Sequence, residues 1–218
     1  MLTDRDEKVI VAVGKSKALT GQQIEGLFFK SYATRQRRLR KELIPNKYLS
    51  NPFYWTTGKY TKSALYRLGK QGKKLYKELT GREYRQPSWS ERYIPHLLQT
   101  NEVLVKLDDI INDYWLEYTP SRESKNQLDS LIELKNGQKI ALELDRATED
   151  KKDIQRQFVN YQRELYIYGL PKQIIFVTPR AKDLHKWCLE VADTSLSIKP
   201  YFVSINKVNQ LKARLGRS

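Results

Sequence analysis

With one cysteine and two histidines in 218 residues, several chemistries are excluded at the outset. Cys188 has no partner for an internal disulfide, and two histidines are too few for a His-rich zinc site. The chain also lacks any run of about 18 apolar residues that could span a bilayer, and its polar opening, MLTDRDEK, has no signal-peptide core. A reducing, cytoplasmic setting with no membrane partner is therefore expected. Acidic charge is scarce as well, but only in one region.

Forty Lys and Arg stand against 25 Asp and Glu, a formal charge of +15, and the excess is concentrated. Between Lys30 and Arg85 there are 16 basic and 3 acidic residues, whereas residues 1–29 are balanced and residues 86–218 carry 20 against 18. A polyanion is the natural partner of such a segment, and its confinement argues for a binding surface over general solubilisation. With 39% hydrophobic residues, the chain can build one large core or two small ones.

Val9, Ile10 and Val13 predict a short helix after Asp4. In ALTGQQIEGLFF, Thr20 and Gln23 form a capping box that opens a second helix, with Ile24, Leu27 and Phe28 as its buried stripe. TRQRRLRKEL, Thr34 to Leu43, predicts a third helix that turns Leu39 and Leu43 inward and Arg35, Gln36, Arg37, Arg38 and Arg40 outward, with Lys41 beside them. It must stop before Pro45. FYWTTGKYTKSALYRL then reads as two short strands around Gly58, with Lys59 and Lys62 at the tip. Three helices followed by a basic hairpin is the order of a winged helix-turn-helix, in which the Arg-rich helix enters the major groove and the hairpin lies on phosphates. A solvated amphipathic helix is the reading without function. KQGKKLYKEL closes this part, with Lys70, Lys73, Lys74 and Lys77 outward.

TGREYRQPSWSE, with Gly, Pro and Ser together and a Ser88–Glu91 capping box, marks a boundary. It gives a DNA-binding domain over residues 1–85 and a second domain over 86–218, entered by a long helix bent near Pro95. His96 in that helix reads as a structural histidine. Beyond Asp113 the pattern is three strands, a helix from Lys151, a strand, a helix and a strand, that is, a meander followed by crossovers. A three-residue loop, Lys135-Asn136-Gly137, with Gly137 left-handed, pairs positions summing to 272 and gathers Leu128, Ile132, Leu134, Ile140, Leu142 and Leu144 on one face. That register sets Asp129 opposite Glu143, with Asp145 next on the same face. Three converging carboxylates suit a hard cation, Mg²⁺ or Mn²⁺, which can activate water and steady a leaving oxyanion. The alternative is a solvated strand face.

ALYRLGKQGKKLY, HLLQTNEVLVKL, LDSLIEL and IALELDRATEDKKDIQRQFVNYQ together resemble the plasmid replication-relaxation proteins and, more distantly, the MobC-class relaxases of mobilisable plasmids. The resemblance implies an N-terminal winged helix and a restriction-endonuclease-like PD-(D/E)xK domain, an α+β or α/β unit with a mixed sheet flanked by helices. It makes Asp129 and Glu143 the catalytic and metal-binding acids and puts Asp145 where nucleases of this fold usually carry lysine. An acid there is a third metal ligand, or else the mark of a domain that has lost cleavage. Arg146 faces the opposite way in a regular strand and is a poor substitute. On the next helix Lys152, Gln155 and Tyr161 are within reach of phosphates. The His-hydrophobic-His motif of rolling-circle initiators and most relaxases is missing, and no motif singles out a tyrosine nucleophile. Cys188 reads as a packed core residue. No RNA-binding motif is present. The favoured expectation is a protein that binds duplex origin DNA and nicks it with metal ions, working with replication or relaxosome proteins or a second copy of itself. The rival is a non-catalytic replication or transcription regulator.

Overall fold

The computed structural model describes residues 1–56, 62–124, 127–147, 149–193, 195 and 198–215, and the chain divides into two compact units, Met1–Val105 and Lys106–Ser218. The long helix that follows residue 85 is tied to the first unit. It packs where its polar groups find partners: Asn101 Nδ2 donates to the carbonyls of Ser16 and Ala18, and Gln23 Nε2 donates to that of Leu98.

The first unit runs α1 (Asp4–Lys15), β1 (Leu19–Thr20), α2 (Gly21–Phe28), α3 (Tyr32–Arg38), β2 (Phe53–Thr56), β3 (Lys62–Tyr66), α4 (Lys70–Thr80) and α5 (Tyr93–Leu107). Each of the first two helices opens on a capping box, Thr3 with Asp6 and Thr20 with Gln23, so that orphan N–H groups are satisfied at once. Strand β3 lies between β1 and β2, both antiparallel to it. Val9, Ile10, Val13, Ile24, Leu39, Leu43, Leu68 and Tyr76 form one buried cluster. The helical run continues beyond α3 as a wider π-type turn over Leu39–Leu43, closed by Ile44 N–H on the Leu39 carbonyl at 2.9 Å. Ser90, not Ser88, caps the approach to α5, its Oγ accepting from Tyr93 N–H. Pro95 falls in the first turn of α5, where a missing N–H costs no hydrogen bond, so Pro95 gives no reason for a bend. Gly58 and Lys59 lie outside the described residues.

The second unit runs β4 (Ile111–Tyr118), β5 (Leu128–Leu134), β6 (Lys139–Leu144), α6 (Lys151–Tyr168), β7 (Gln173–Val177), α7 (Ala181–Leu189), β8 (Lys199–Val203) and α8 (Asn209–Leu215). The sheet order is β4-β5-β6-β7-β8, antiparallel as far as β6 and parallel after it. This is the meander and crossovers expected. The register of β5 on β6 is also as derived: Ile132 pairs with Ile140, and Gly137 takes φ +82° in the loop. The alternative of a fully solvated strand face does not hold. The acid-bearing face is largely covered, because α6 lays Ile154, Phe158, Tyr161 and Leu165 into a core with Ala141, Ile174 and Phe176, while Asp129 and Glu143 stay half-buried. Central strands of a sheet with parallel crossovers are covered on both sides. The terminal helix α8 was not foreseen, although Val208, Leu211 and Leu215 repeat at i, i+3 and i+7 and are all buried.

Candidate functional site

The basic helix of the first unit sorts its cations into two classes. Arg37, Arg40 and Lys41 are exposed. Arg35, expected outward, is instead 4% exposed: its Nη1 donates to Glu25 Oε2 at 2.8 Å, and its guanidinium lies over the Tyr32 ring. Arg38 is turned back onto α1, donating from Nε to Asp6 Oδ1 at 2.9 Å and from Nη2 to the Met1 carbonyl at 2.8 Å. Burial pushes the Asp6 carboxyl up, but hydrogen bonds from Arg38 and Thr3 outweigh it and hold its pKa below the usual range. Gln36 is half-buried. Arg35 and Arg38 thus join elements of the core, and the solvent-facing cations are Arg37, Arg40 and Lys41, with Lys62 at the start of β3 and Lys70, Lys73, Lys74 and Lys77 along α4 also exposed.

In the second unit, the β5–β6 ladder ends at Ser130 and Leu142. Asp129 lies one residue beyond, and its Oδ2 accepts the N–H of Leu144 at 2.6 Å, replacing the ladder bond that is no longer made. Glu143 stands opposite. Burial beneath α6, then the charge of Asp129, then that of Glu149 drive the Glu143 pKa well above the ordinary carboxylate value of 4.5. Glu149 was not singled out from the sequence, because it sits in an irregular loop where no periodicity points to it. Its own pKa is raised by burial and by Asp145 and Asp129, against a hydrogen bond from Gln157.

Asp145 is drawn away from this group. Its carboxylate accepts from Thr178 Oγ1 at 2.7 Å, from Arg180 Nε at 2.9 Å and Nη2 at 3.0 Å, and from Ala147 N–H at 2.8 Å. Burial raises its pKa, but the bonds from Arg180, Thr178 and Ala147 prevail and lower it. Local structure explains the diversion. The parallel pairing of Leu144 with Val177 brings the chain just past β6 beside Thr178, and Asp145 N–H continues the ladder to the Val177 carbonyl at 3.0 Å. Arg180 also donates to the Glu149 carbonyl at 2.5 Å and rests on the Trp187 ring.

Asp129 and Glu143 are the two acids whose oxygens could serve a hard cation, while Asp145 is saturated by its own partners. Among the described residues, no three His, Cys, Asp or Glu side chains form a metal-holding group. Of the helix residues expected near phosphates, Lys152 is exposed at the start of α6. Gln155 ties α6 to the Trp187 carbonyl and to Glu190, and Tyr161 is buried with its hydroxyl donating to the Pro171 carbonyl. Burial pushes the Cys188 thiol up to about 12, which fits a packed core residue and not a nucleophile. No helix among the described residues is long and apolar enough to cross a membrane. Residues 11–170 match the replication-relaxation family, and no curated protein or solved structure matches the chain.

Proposed function

From this chain's membership of the replication-relaxation family, we propose that it acts in plasmid or mobile-element replication by binding duplex origin DNA through its first unit and nicking one strand with its second. The observation that carries cleavage is the facing pair Asp129 and Glu143 at the open end of the β5–β6 ladder. The observation that carries binding is the set of exposed cations Arg37, Arg40 and Lys41 on the basic helix, with Lys70 and Lys73 of α4 also exposed and Lys74 and Lys77 there paired with Glu78 and Glu83.

The order of elements in the first unit supports a winged helix, with the run from Tyr32 to Leu43 toward the major groove and the β2–β3 hairpin toward phosphates. The meander-and-crossover sheet of the second unit supports a PD-(D/E)xK-like nuclease. Mg²⁺ or Mn²⁺ held by Asp129 and Glu143 would lower the pKa of bound water and offset charge on the phosphodiester. Glu143, protonated more readily than an ordinary carboxyl, must release its proton to serve as a ligand, so metal uptake would liberate protons. Asp145 takes the place where nucleases of that fold usually carry lysine, and its charge is met by Arg180 from beyond β7.

A second reading has its own observation. Asp145 is locked to Arg180 and Thr178 and is unavailable as a ligand, which suits a regulator whose nuclease-like unit is a scaffold. Calorimetric titration of Mn²⁺ into wild type and Glu143→Gln, then incubation of each with supercoiled plasmid carrying candidate origin DNA, separates the two. Metal binding lost in the variant, with open-circle product from wild type alone, supports the nickase. DNA binding without metal uptake or nicking, with the origin DNA present, supports the regulator.

A further inference from the structure

A cavity of about 700 Å³ opens where β7 and β8 end and α7 and α8 begin, on the carboxyl side of the parallel strands. Crevices at that edge are where α/β sheets commonly take ligands. Four of its lining side chains are cationic, Arg180, Lys182, Lys207 and Arg214, against one acid, Asp183. This imbalance is local, because residues 106–218 carry 19 Lys or Arg against 16 acids.

The state of these cations is informative. Some basic residues of the unit are paired, Lys212 with Asp109, Lys151 with Glu190 and Arg156 with Asp153, each at 2.6 Å, and others such as Lys139, Arg163 and Lys172 stand exposed singly, whereas the cavity gathers several at one concavity. Lys182, Lys207 and Arg214 are exposed, and among the described residues none of them has an ion pair. Three uncompensated cations around one cavity repel one another, and an anion in their midst relieves that repulsion. Phe202 supplies part of an apolar wall, its ring stacked on Phe176 at 5.2 Å and packed by His185 at 5.3 Å. Arg180 lines the cavity and also holds Asp145, so the cavity adjoins that ion pair.

We propose that this cavity seats the phosphate backbone of a single DNA strand, with phosphates on Lys182, Lys207 and Arg214 and sugar or base against Phe202. Its volume suits about one or two nucleotides and is too small for a duplex, and cations interleaved with an aromatic face are what single strands bind. The inference rests on the DNA-binding part of the reading above and is independent of cleavage. It places the strand beside the Arg180–Asp145 pair.

The test uses the full-length protein and a fluorescent oligonucleotide of about 15 thymidines, some replaced by 4-thiothymidine. In anisotropy titrations over several salt concentrations, Lys182→Gln/Lys207→Gln/Arg214→Gln should bind about tenfold more weakly at moderate salt. Its log K against log salt slope should be shallower by about 2, at ~0.7 for each phosphate that is no longer neutralised. Irradiated wild type should crosslink within residues 179–183 or 202–214, a result that does not depend on the variant folding. An unchanged slope with crosslinks confined to the first unit overturns the proposal while leaving DNA binding intact. No binding of single-stranded or duplex DNA overturns both this proposal and the function it rests on. Binding of free thymidine triphosphate in the cavity without binding of the oligonucleotide overturns the strand assignment.

Discussion

Arg180 holds Asp145 with two hydrogen bonds, Nε to Oδ2 at 2.9 Å and Nη2 to Oδ1 at 3.0 Å, across 35 positions of sequence. A carboxylate gripped in this way stabilises the fold, whereas one crowded among other acids opposes it. Asp145→Ala should therefore lower the unfolding free energy by about 2 to 4 kcal/mol, somewhat less than for a fully enclosed pair because Arg180 retains some exposure. Urea denaturation without divalent ions measures this. An unchanged or higher midpoint would return Asp145 to the repelling group.

Glu143 should behave in the opposite way. Its folded pKa is raised, so between the ordinary value of 4.5 and that raised value the folded state binds more protons than the unfolded state, and stability falls as pH rises. Asp145, with its lowered pKa, contributes stability above 3.8 that is lost as pH falls further. Wild type should therefore lose stability on both sides of an optimum. Glu143→Gln should flatten the decline above pH 4.5 and leave the acid side unchanged. Melting temperatures across a pH series test this, and a Gln variant that keeps the full upper decline would contradict it.

The two classes of arginine on the basic helix should separate cleanly. Arg35→Ala breaks a mostly buried pair with Glu25 and is expected to cost about 1 to 3 kcal/mol of stability. Arg37→Ala should leave stability within about 0.5 kcal/mol. On duplex DNA it should weaken binding and, if the side chain neutralises one phosphate, reduce the salt slope by about 0.9. Equal affinity of wild type and Arg37→Ala at every salt concentration would remove that residue from the interface.

Gly137 holds the loop that sets the β5–β6 register at φ +82°, a conformation disfavoured for residues with a Cβ. Gly137→Ala should cost about 1 to 2 kcal/mol in chemical denaturation. A cost near zero would mean that the loop relaxes without moving the strands.

What could be read from the sequence was mostly local. The β5–β6 register followed from burial and one glycine, and the crossovers from alternating apolar strands and helices. The inward turn of Arg35 was also legible, because it precedes Leu39 by four positions, as Leu39 precedes Leu43, and so continues their buried stripe. An arginine on a core stripe implies a partner, and Glu25 is that partner. Arg180 was out of reach, since it meets Asp145 only after β6 and β7 have paired in parallel, a long-range relation that no spacing records. The coverage of the acid face by α6 was likewise a matter of packing, not of pattern.

The wide turn at Leu39–Leu43 holds one more residue than an α-helical turn would, yet both of its leucines stay buried. Such a turn can absorb an insertion: a chain without the extra residue closes at ordinary pitch and keeps its leucines inward. Relatives of this protein are therefore expected to differ in length by a single residue at Arg40 or Lys41, gaining or losing a surface cation during divergence with no change to the hydrophobic packing beneath.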